Sequence, residues 1–303
     1  MPKVSICVPT YQNQEELQRL VDSVREQTFQ EFEIIITDDS KDNQIQEYIA
    51  KLQEEKDSVA DKIRYYHNAK PLGHIYNWNE ALSYAKGEFV KIMFSDDWFT
   101  YSDSLKKMVT ALERTPEAGM VFCGSMQVSS KNSYSRKPEE GYVKKLQKDY
   151  RYLFISNQIG APSDTLYRRS LQVKFDEKSN WASDVFLYME ILKKNPNFVY
   201  FKEPLISIGI HDHQYTESFS ENDSRIFKDY QYMFEKYNLQ ESKPCRDYFL
   251  YQYLIRYPDG RMEAKKSGYG AFEFIRAKAG YYRKEVLPCW IRVLLRKVRG
   301  KQK

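Results

Sequence analysis

Phe89-Val90-Lys91-Ile92-Met93-Phe94-Ser95-Asp96-Asp97-Trp98 is an apolar run that ends in two adjacent carboxylates and an aromatic residue. A strand that delivers acids to its own C-terminal end is how an open α/β sheet presents charge to a ligand. Carboxylates in that place suit a hard divalent cation, and such a cation suits a diphosphate. Paired acids also cap helices and form turns, so the weight of this pair depends on the sheet that the rest of the chain builds.

Working outward, the first 125 residues alternate regularly between short β-branched runs and helical periodicity. Strands are predicted at Val4–Val8, Phe32–Thr37, Ile63–His67, Glu88–Phe94 and Gly119–Cys123. Helices are predicted at 14–26, 44–55, 74–85 and 104–114, the third closed by Lys86-Gly87 because glycine is favoured just past a helix end. Five strands alternating with helices give an α/β fold with a mainly parallel sheet covered on both faces. Ligand-binding groups then gather at the C-terminal strand ends: Pro9-Thr10-Tyr11, Asp38-Asp39, His67-Asn68 and Asp96-Asp97. Beyond Gly124 the pattern loosens. Residues 129–141 read as a polar loop, 157–163 (NQIGAPS) as irregular, and 164–171 as structured again. From Asn222 onward the chain is helical, aromatic and basic.

Hydrophobic residues make up 42% and charged residues 29%, which describes a globular rather than a disordered chain. The 25 tyrosines are a surplus, read either as amphipathic surface or as compositional drift. Cys7, Cys123, Cys245 and Cys289 form no CxxC pair, so neither a zinc site nor a disulfide framework is expected; Cys7 and Cys123 read as small core residues. The N-terminal apolar run is too short for a signal peptide and no segment reaches the length of a membrane span, which favours a reducing cytoplasm. Between Arg283 and Lys303 stand eight basic residues and one acid, so this tail carries +7 of the chain's net +5 and the rest carries −2. A nucleic-acid-binding body is therefore not expected.

The turn after the first strand, PTYQNQEE, has no glycine, so neither a dinucleotide fingerprint nor a P-loop holds phosphates here. The sheet then uses something other than a glycine cradle, and the Asp96-Asp97 pair with a metal is the candidate. The segments VSICVPTYQN, EFEIIITDDSKD, NWNEALSYAKGEFVKIMFSDDW and NWASDVFLYMEIL resemble, in order and spacing, a family 2 glycosyltransferase with a GT-A fold, over about residues 3 to 216.

That resemblance implies a Rossmann-like catalytic domain at residues 1–216 and a helical C-terminal extension at 217–303. It implies that Pro9, Thr10 and Tyr11 wrap the base and ribose, with Tyr11 offering a flat face. It implies that Asp39 reads the uracil imide N–H as a fixed carboxylate. Asp38 and Ser40 read as caps of the following helix. Asp97 becomes the expected ligand of Mn²⁺ or Mg²⁺, and Asp96 meets sugar or ribose hydroxyls. The metal offsets charge on the departing nucleoside diphosphate. Asp184 is the expected catalytic base of an inverting transfer; as a helix cap it would be fixed at the helix start. Relatives carry Glu-Asp where this chain has Ser183-Asp184. His211 is a further metal ligand or phosphate donor, or a structural histidine. Trp98 lines the acceptor side or packs beneath the sheet. Lys70, His74, Asn77 and Asn79 form a polar group near the base, of which Asn79 reads as helix packing.

In the tail, Leu287, Trp290, Ile291, Leu294 and Val298 fall on one helical face with Arg292, Arg296 and Arg299 opposite. A helix at 285–299 of this kind lies at an anionic membrane surface or docks on the body. The whole reads as a metal-dependent glycosyltransferase. It moves sugar from a nucleotide donor, expected to be a UDP-sugar, to a glycan or lipid-linked oligosaccharide at the inner face of the cytoplasmic membrane. A non-catalytic nucleotide- or glycan-binding module is the alternative.

Overall fold

The structure is a computed structural model and describes residues 1–211, 214, 219, 223–255 and 260–281. The chain divides into two compact units, one of residues 1–226 and one from 227 onward.

The first unit opens with β1 (Val4–Thr10), α1 (Gln14–Arg25), β2 (Phe32–Asp38), α2 (Gln44–Glu54), β3 (Ile63–His67), α3 (His74–Ser83) and β4 (Phe89–Ile92). These strands lie parallel in the order β3-β2-β1-β4. All seven residues of β1 and of β2 are buried, as expected of strands covered by helices on both faces. Leu17, Leu20, Val21 and Val24 of α1 are fully buried against this sheet, the 3.6-residue stripe that the sequence presents. Burying each such side chain is worth about 1.5–3 kcal/mol.

Register decides where the polar ends fall. Thr10 is level with Asp38, and Asp38 is level with His67, so the exits of β1, β2 and β3 form one edge.

The second half of the unit is less regular than the periodicity predicts. It contains β5 (Asp97–Phe99), α4 (Ser104–Arg114), β6 (Met120–Ser129), β7 (Ser133–Arg136), α5 (Glu140–Lys148), β8 (Thr165–Arg168), α6 (Ser183–Lys194) and β9 (Phe198–Ile210). The sheet continues from β4 through β8, β6 and β9 to β5, with β8 antiparallel to both β4 and β6 and inserted between them. The polar stretch 129–141, expected as a loop, instead forms an antiparallel hairpin through β7 and opens α5. Alternation is hard to see in β7 because three of its four residues are exposed.

Gly87 also differs in its reason. Its φ is not positive; a Cβ there would lie 2.6 Å from the Ser5 backbone nitrogen, so the α3–β4 turn needs glycine for close approach rather than as a left-handed cap. Beside it Glu33 accepts hydrogen bonds from Ser5 Oγ at 2.7 Å, the Lys86 N–H at 2.9 Å and Arg64 Nη1 at 2.8 Å.

The second unit has a core of stacked rings. Tyr230 lies 4.4 Å from Tyr253, and Phe234 lies 4.4 Å from Phe249 and 6.4 Å from Tyr269, centroid to centroid. Part of the tyrosine surplus is therefore core. No helix among the described residues is long and apolar enough to cross a membrane. The segment 285–299 lies outside the described residues.

Candidate active site

Three strand exits and one helix start carry the polar groups of the site. At the exit of β1 the chain leaves Thr10 and passes through Gln12 and Asn13, both with positive φ (58° and 68°), without a glycine. Adjacent non-glycine residues in the left-handed region are costly and persist where surrounding contacts hold them. Here the Ser40 hydroxyl accepts the Gln12 N–H at 2.6 Å, and Thr10 O accepts the Asp39 N–H at 3.0 Å. Pro9 and Thr10 are buried within the strand, while Tyr11 is half-exposed and offers its ring outward.

Asp39 is buried and its carboxylate is fixed by three donors: Asn68 Nδ2 at 3.0 Å, the Leu72 N–H at 2.8 Å and the Gly73 N–H at 2.8 Å. It thereby shapes the loop leading into α3. Asn77 ties the β1 and β2 exits together, donating to Thr10 O at 3.1 Å and Thr37 O at 3.2 Å. Asp38 accepts from the Ser40 N–H at 2.9 Å and from Tyr65 Oη at 2.7 Å, so it braces the turn; neither it nor Ser40 caps α2, whose N-cap position is Asn43. Asn79 likewise packs: its amide bridges the backbone of Phe175 at 2.8 and 3.0 Å. His74 sits by Trp78 with ring centroids 5.1 Å apart, and Lys70 is exposed.

The acid pair at β4–β5 separates, but not in the expected sense. Asp97 begins β5 and, with Phe99, points into the core. It is 2% exposed, its Oδ1 meets no hydrogen-bond donor, Ser163 stands near the carboxylate, and burial raises its pKa well above the usual range. Asp96 lies just before the strand and is partly open. Its Oδ2 stands 3.2 Å from His211 Nε2, and Glu16 Oε1 of α1 is 3.5 Å from the same nitrogen. Alternation along β5 turns Asp97, the acid expected on the metal, inward with one carboxylate oxygen unpartnered, and the acid facing His211 is Asp96.

The donor set of Asp96 and His211 fits Mn²⁺ or Mg²⁺. Adjacent ligands of an octahedral ion are about 3 Å apart, and such ions combine one or two protein groups with substrate phosphates. Among the described residues no three acidic, histidine or cysteine groups are arranged to hold a metal by themselves. Burial, then the neighbouring Asp96, raises the Glu16 carboxyl.

Trp98 faces the other way from Asp97. The Arg19 guanidinium lies 4.0 Å from its ring centroid and donates to Asp96 O at 3.3 Å, so this ring takes part in packing. Across the strand, a Cβ on Gly209 would come within 2.6 Å of Asp96 O. The acid turn therefore rests on a residue that must lack a side chain.

Asp184 stands in the first turn of α6, half-buried. Its Oδ1 accepts the Val185 N–H at 2.7 Å and its Oδ2 accepts Asn157 Nδ2 at 2.6 Å. Burial pushes its pKa up to about 6 against these hydrogen bonds, which favour the charged form. Asn157 belongs to the stretch expected only to be irregular; its Oδ1 accepts the Ile159 and Gly160 N–H groups and shapes that loop.

An edge of parallel strand exits, a buried acid fixed by three donors and a partly open acid beside a histidine stand together at the C-terminal side of the sheet, where an open α/β fold binds its ligands. The model of Glycosyl transferase family 2 matches residues 5–174, more than half of the chain, and the chain belongs to that family. It is a nucleotide-sugar-dependent glycosyltransferase with a GT-A fold.

The GalNAc(5)-diNAcBac-PP-undecaprenol beta-1,3-glucosyltransferase of Campylobacter jejuni is 23% identical over 270 residues, 82% of this chain and 81% of that one. The putative colanic acid biosynthesis glycosyl transferase WcaA of Escherichia coli is 25% identical over 260 residues, 84% and 88% of the two chains. Among solved structures, S. aureus TarS 1–349 in complex with UDP-GlcNAc superposes with a TM-score of 0.62 at 17% identity, covering 93% of this chain and 81% of that one. The mannosyltransferase PcManGT from Pyrobaculum calidifontis, in complex with GDP-Man and Mn²⁺, gives 0.54 at 17% identity, covering 94% and 70%.

Proposed function

We propose that this chain is a metal-assisted, inverting glycosyltransferase. It moves a sugar from a UDP donor to a hydroxyl of a glycan or lipid-linked oligosaccharide in cell-surface polysaccharide synthesis. The observation that carries the reading is Asp184: a carboxyl pushed up to about 6, held by Asn157 at a helix start, in a chain of this family. A base with that pKa is ionised at neutral pH and still attracts a proton.

In this reading residues 1–216 are the catalytic domain and 217–303 a helical appendage. Pro9 and Thr10 form the floor under the nucleoside and the half-exposed Tyr11 stacks on the base. Asp39, fixed by Asn68 and the 72–73 backbone, accepts the uracil N–H through a remaining lone pair. Asp96 and His211 hold Mn²⁺ or Mg²⁺, with Asp97 as buried support rather than ligand. The bound ion offsets charge on the leaving diphosphate. Asp184 takes the proton from the acceptor hydroxyl as it attacks the anomeric carbon from the face opposite the diphosphate, and Asn157 keeps the carboxylate aimed. Trp98 borders the acceptor side, its ring steadied by Arg19. The basic segment 285–299 holds the protein peripherally at the anionic inner face of the cytoplasmic membrane.

The names of two relatives support the acceptor class: an undecaprenol-linked glycan for one and colanic acid for the other. The test is a thermal-shift panel of nucleotide sugars with and without Mn²⁺, since a ligand that binds the native state stabilises it in proportion to occupancy. UDP-sugars are expected to raise the melting temperature, and more so with Mn²⁺. A response confined to GDP-sugars would overturn the donor assignment, and one independent of metal would overturn the metal.

A further inference from the structure

Beneath the acid turn lies a buried set of charges that the reaction as described does not use. Lys91, in the middle of β4 and level with Ile6 of β1, is fully buried. Its ammonium donates to Ser163 O and lies 5.6 Å from the Phe99 ring centroid, within the field of Asp164 and Asp97. Asp164 is also fully buried; Arg136 Nη1 stands 3.9 Å from its Oδ2. A lysine at the core of a strand is expensive, and an apolar residue there would serve stability as well or better.

Ser163 connects this charge to the site. Its carbonyl accepts from Lys91 and its Oγ accepts the Phe94 N–H at 3.1 Å, with the Asp97 carboxylate close by. The Asp97 N–H in turn bonds Phe94 O at 3.0 Å, closing the turn that carries Asp96. On the other side Arg136 donates to Asn157 O at 3.2 Å, and Asn157 holds Asp184. Gly160, with φ 107°, lets the loop pass: a Cβ there would collide with the Asp164 carboxylate and the Arg136 guanidinium.

We propose that Lys91 is a positioning residue of the transfer reaction. Through Ser163 it fixes the turn carrying Asp96, and with Asp164 and Arg136 it fixes the loop whose Asn157 orients Asp184. The inference rests on the reading of Asp96 as a metal ligand and Asp184 as base. Lys91 touches no substrate; it acts by giving two separate acids one rigid support.

The test uses the full chain, with UDP and Mn²⁺ as probes. Titration calorimetry measures UDP affinity with and without Mn²⁺ for the wild type, Asp96→Asn, Lys91→Met and the charge-balanced Lys91→Met/Asp164→Asn. Melting temperature is followed in parallel. Lys91→Met alone strands buried carboxylates and is expected to lower the melting temperature; the double variant restores it. Metal-free UDP affinity stays at the wild-type value in the double variant, while the tightening by Mn²⁺ falls about 10- to 100-fold, the usual cost of losing support behind a metal ligand. A merely structural lysine would give back the metal response together with stability.

Loss of that response in Asp96→Asn but not in the folded double variant would overturn this inference alone. A wild type with no metal response would overturn the metal reading and this inference with it. Should the double variant fail to fold, Ser163→Ala, which keeps every charge but cuts the side-chain link to the Phe94 N–H, carries the same expectation and the same refutation.

Discussion

An aspartate whose carboxyl is pushed up to about 6 is mostly ionised at pH 7 and mostly protonated at pH 5, so with Asp184 as the proposed base the reaction is expected to depend on pH in a defined direction. Only the ionised form accepts the acceptor's proton. The kcat of transfer is therefore expected to be level above about pH 7 and to fall about tenfold per pH unit below 6; a profile flat down to pH 5 would remove Asp184 from this role. Asp184→Asn is expected to lower kcat about 1,000-fold while leaving UDP affinity unchanged, as calorimetry on the same preparation would read. Gly209→Ala acts on the opposite wall. Its Cβ would press on Asp96 O, 2.6 Å away in the present geometry, so Asp96 must shift from His211. The expected result is a weaker response to Mn²⁺ with little change in melting temperature.

Elements as wholes matter through their ends. The β1, β2 and β3 exits are level because parallel pairing sets Thr10 beside Asp38 and Asp38 beside His67, and Asn77 of α3 ties two of them together. At the opposite end of the same strands, Glu33 ties β2 to Ser5 of β1, Arg64 of β3 and the α3–β4 turn. Burial pushes its carboxyl up, but the bonds from Ser5, Lys86 and Arg64 outweigh this and hold it below the ordinary value. A depressed carboxyl adds stability that is present above the unfolded pKa and lost as pH falls through the folded one. Glu33→Gln is thus expected to cost about 2–3 kcal/mol at pH 7 and less at pH 3, measured by urea unfolding at each pH.

This is also the scale at which the sequence is partly silent. β1, β2 and β4 are legible because their burial makes nearly continuous apolar runs, whereas β3, with only Ile63 buried, is legible by its place in the alternation with helices. β7 is not legible, because exposed residues carry no alternation. Asn157 is visible only as part of an irregular stretch, since its importance lies in reaching Asp184, 27 positions away.

Over the whole chain, charge is concentrated at one end. Before Arg283 the chain carries −2, and from there onward +7. Attraction to anionic lipid is worth about 1 kcal/mol per basic residue near the surface. Replacing Arg292, Arg296 and Arg299 with Gln is expected to abolish co-sedimentation with phosphatidylglycerol vesicles while leaving UDP binding intact. Unchanged sedimentation would mean that the tail does not hold the protein at a membrane. The ring core of the second unit, with Tyr230 on Tyr253 and Phe234 on Phe249, accounts for aromatic content that composition alone left open between surface and drift.

The FVKIMFSDDW segment shows where local sequence stops deciding. Its apolar run and terminal acids fix a strand that ends in charge, because periodicity and burial are local properties. The motifs around it place the chain in its family, because their order and spacing survive in one dimension. Which of Asp96 and Asp97 faces solvent is settled only by the short strand β5 pairing with Ser207 and Ile208 of β9, more than a hundred residues away. Lys91, a charge inside a buried strand, was an anomaly open to view in the sequence, yet its partners Ser163 and Asp164 come from a loop whose approach no local pattern encodes. Side-chain direction and long-range partnership are tertiary facts: a one-residue change of facing separates a partly open acid from a buried one.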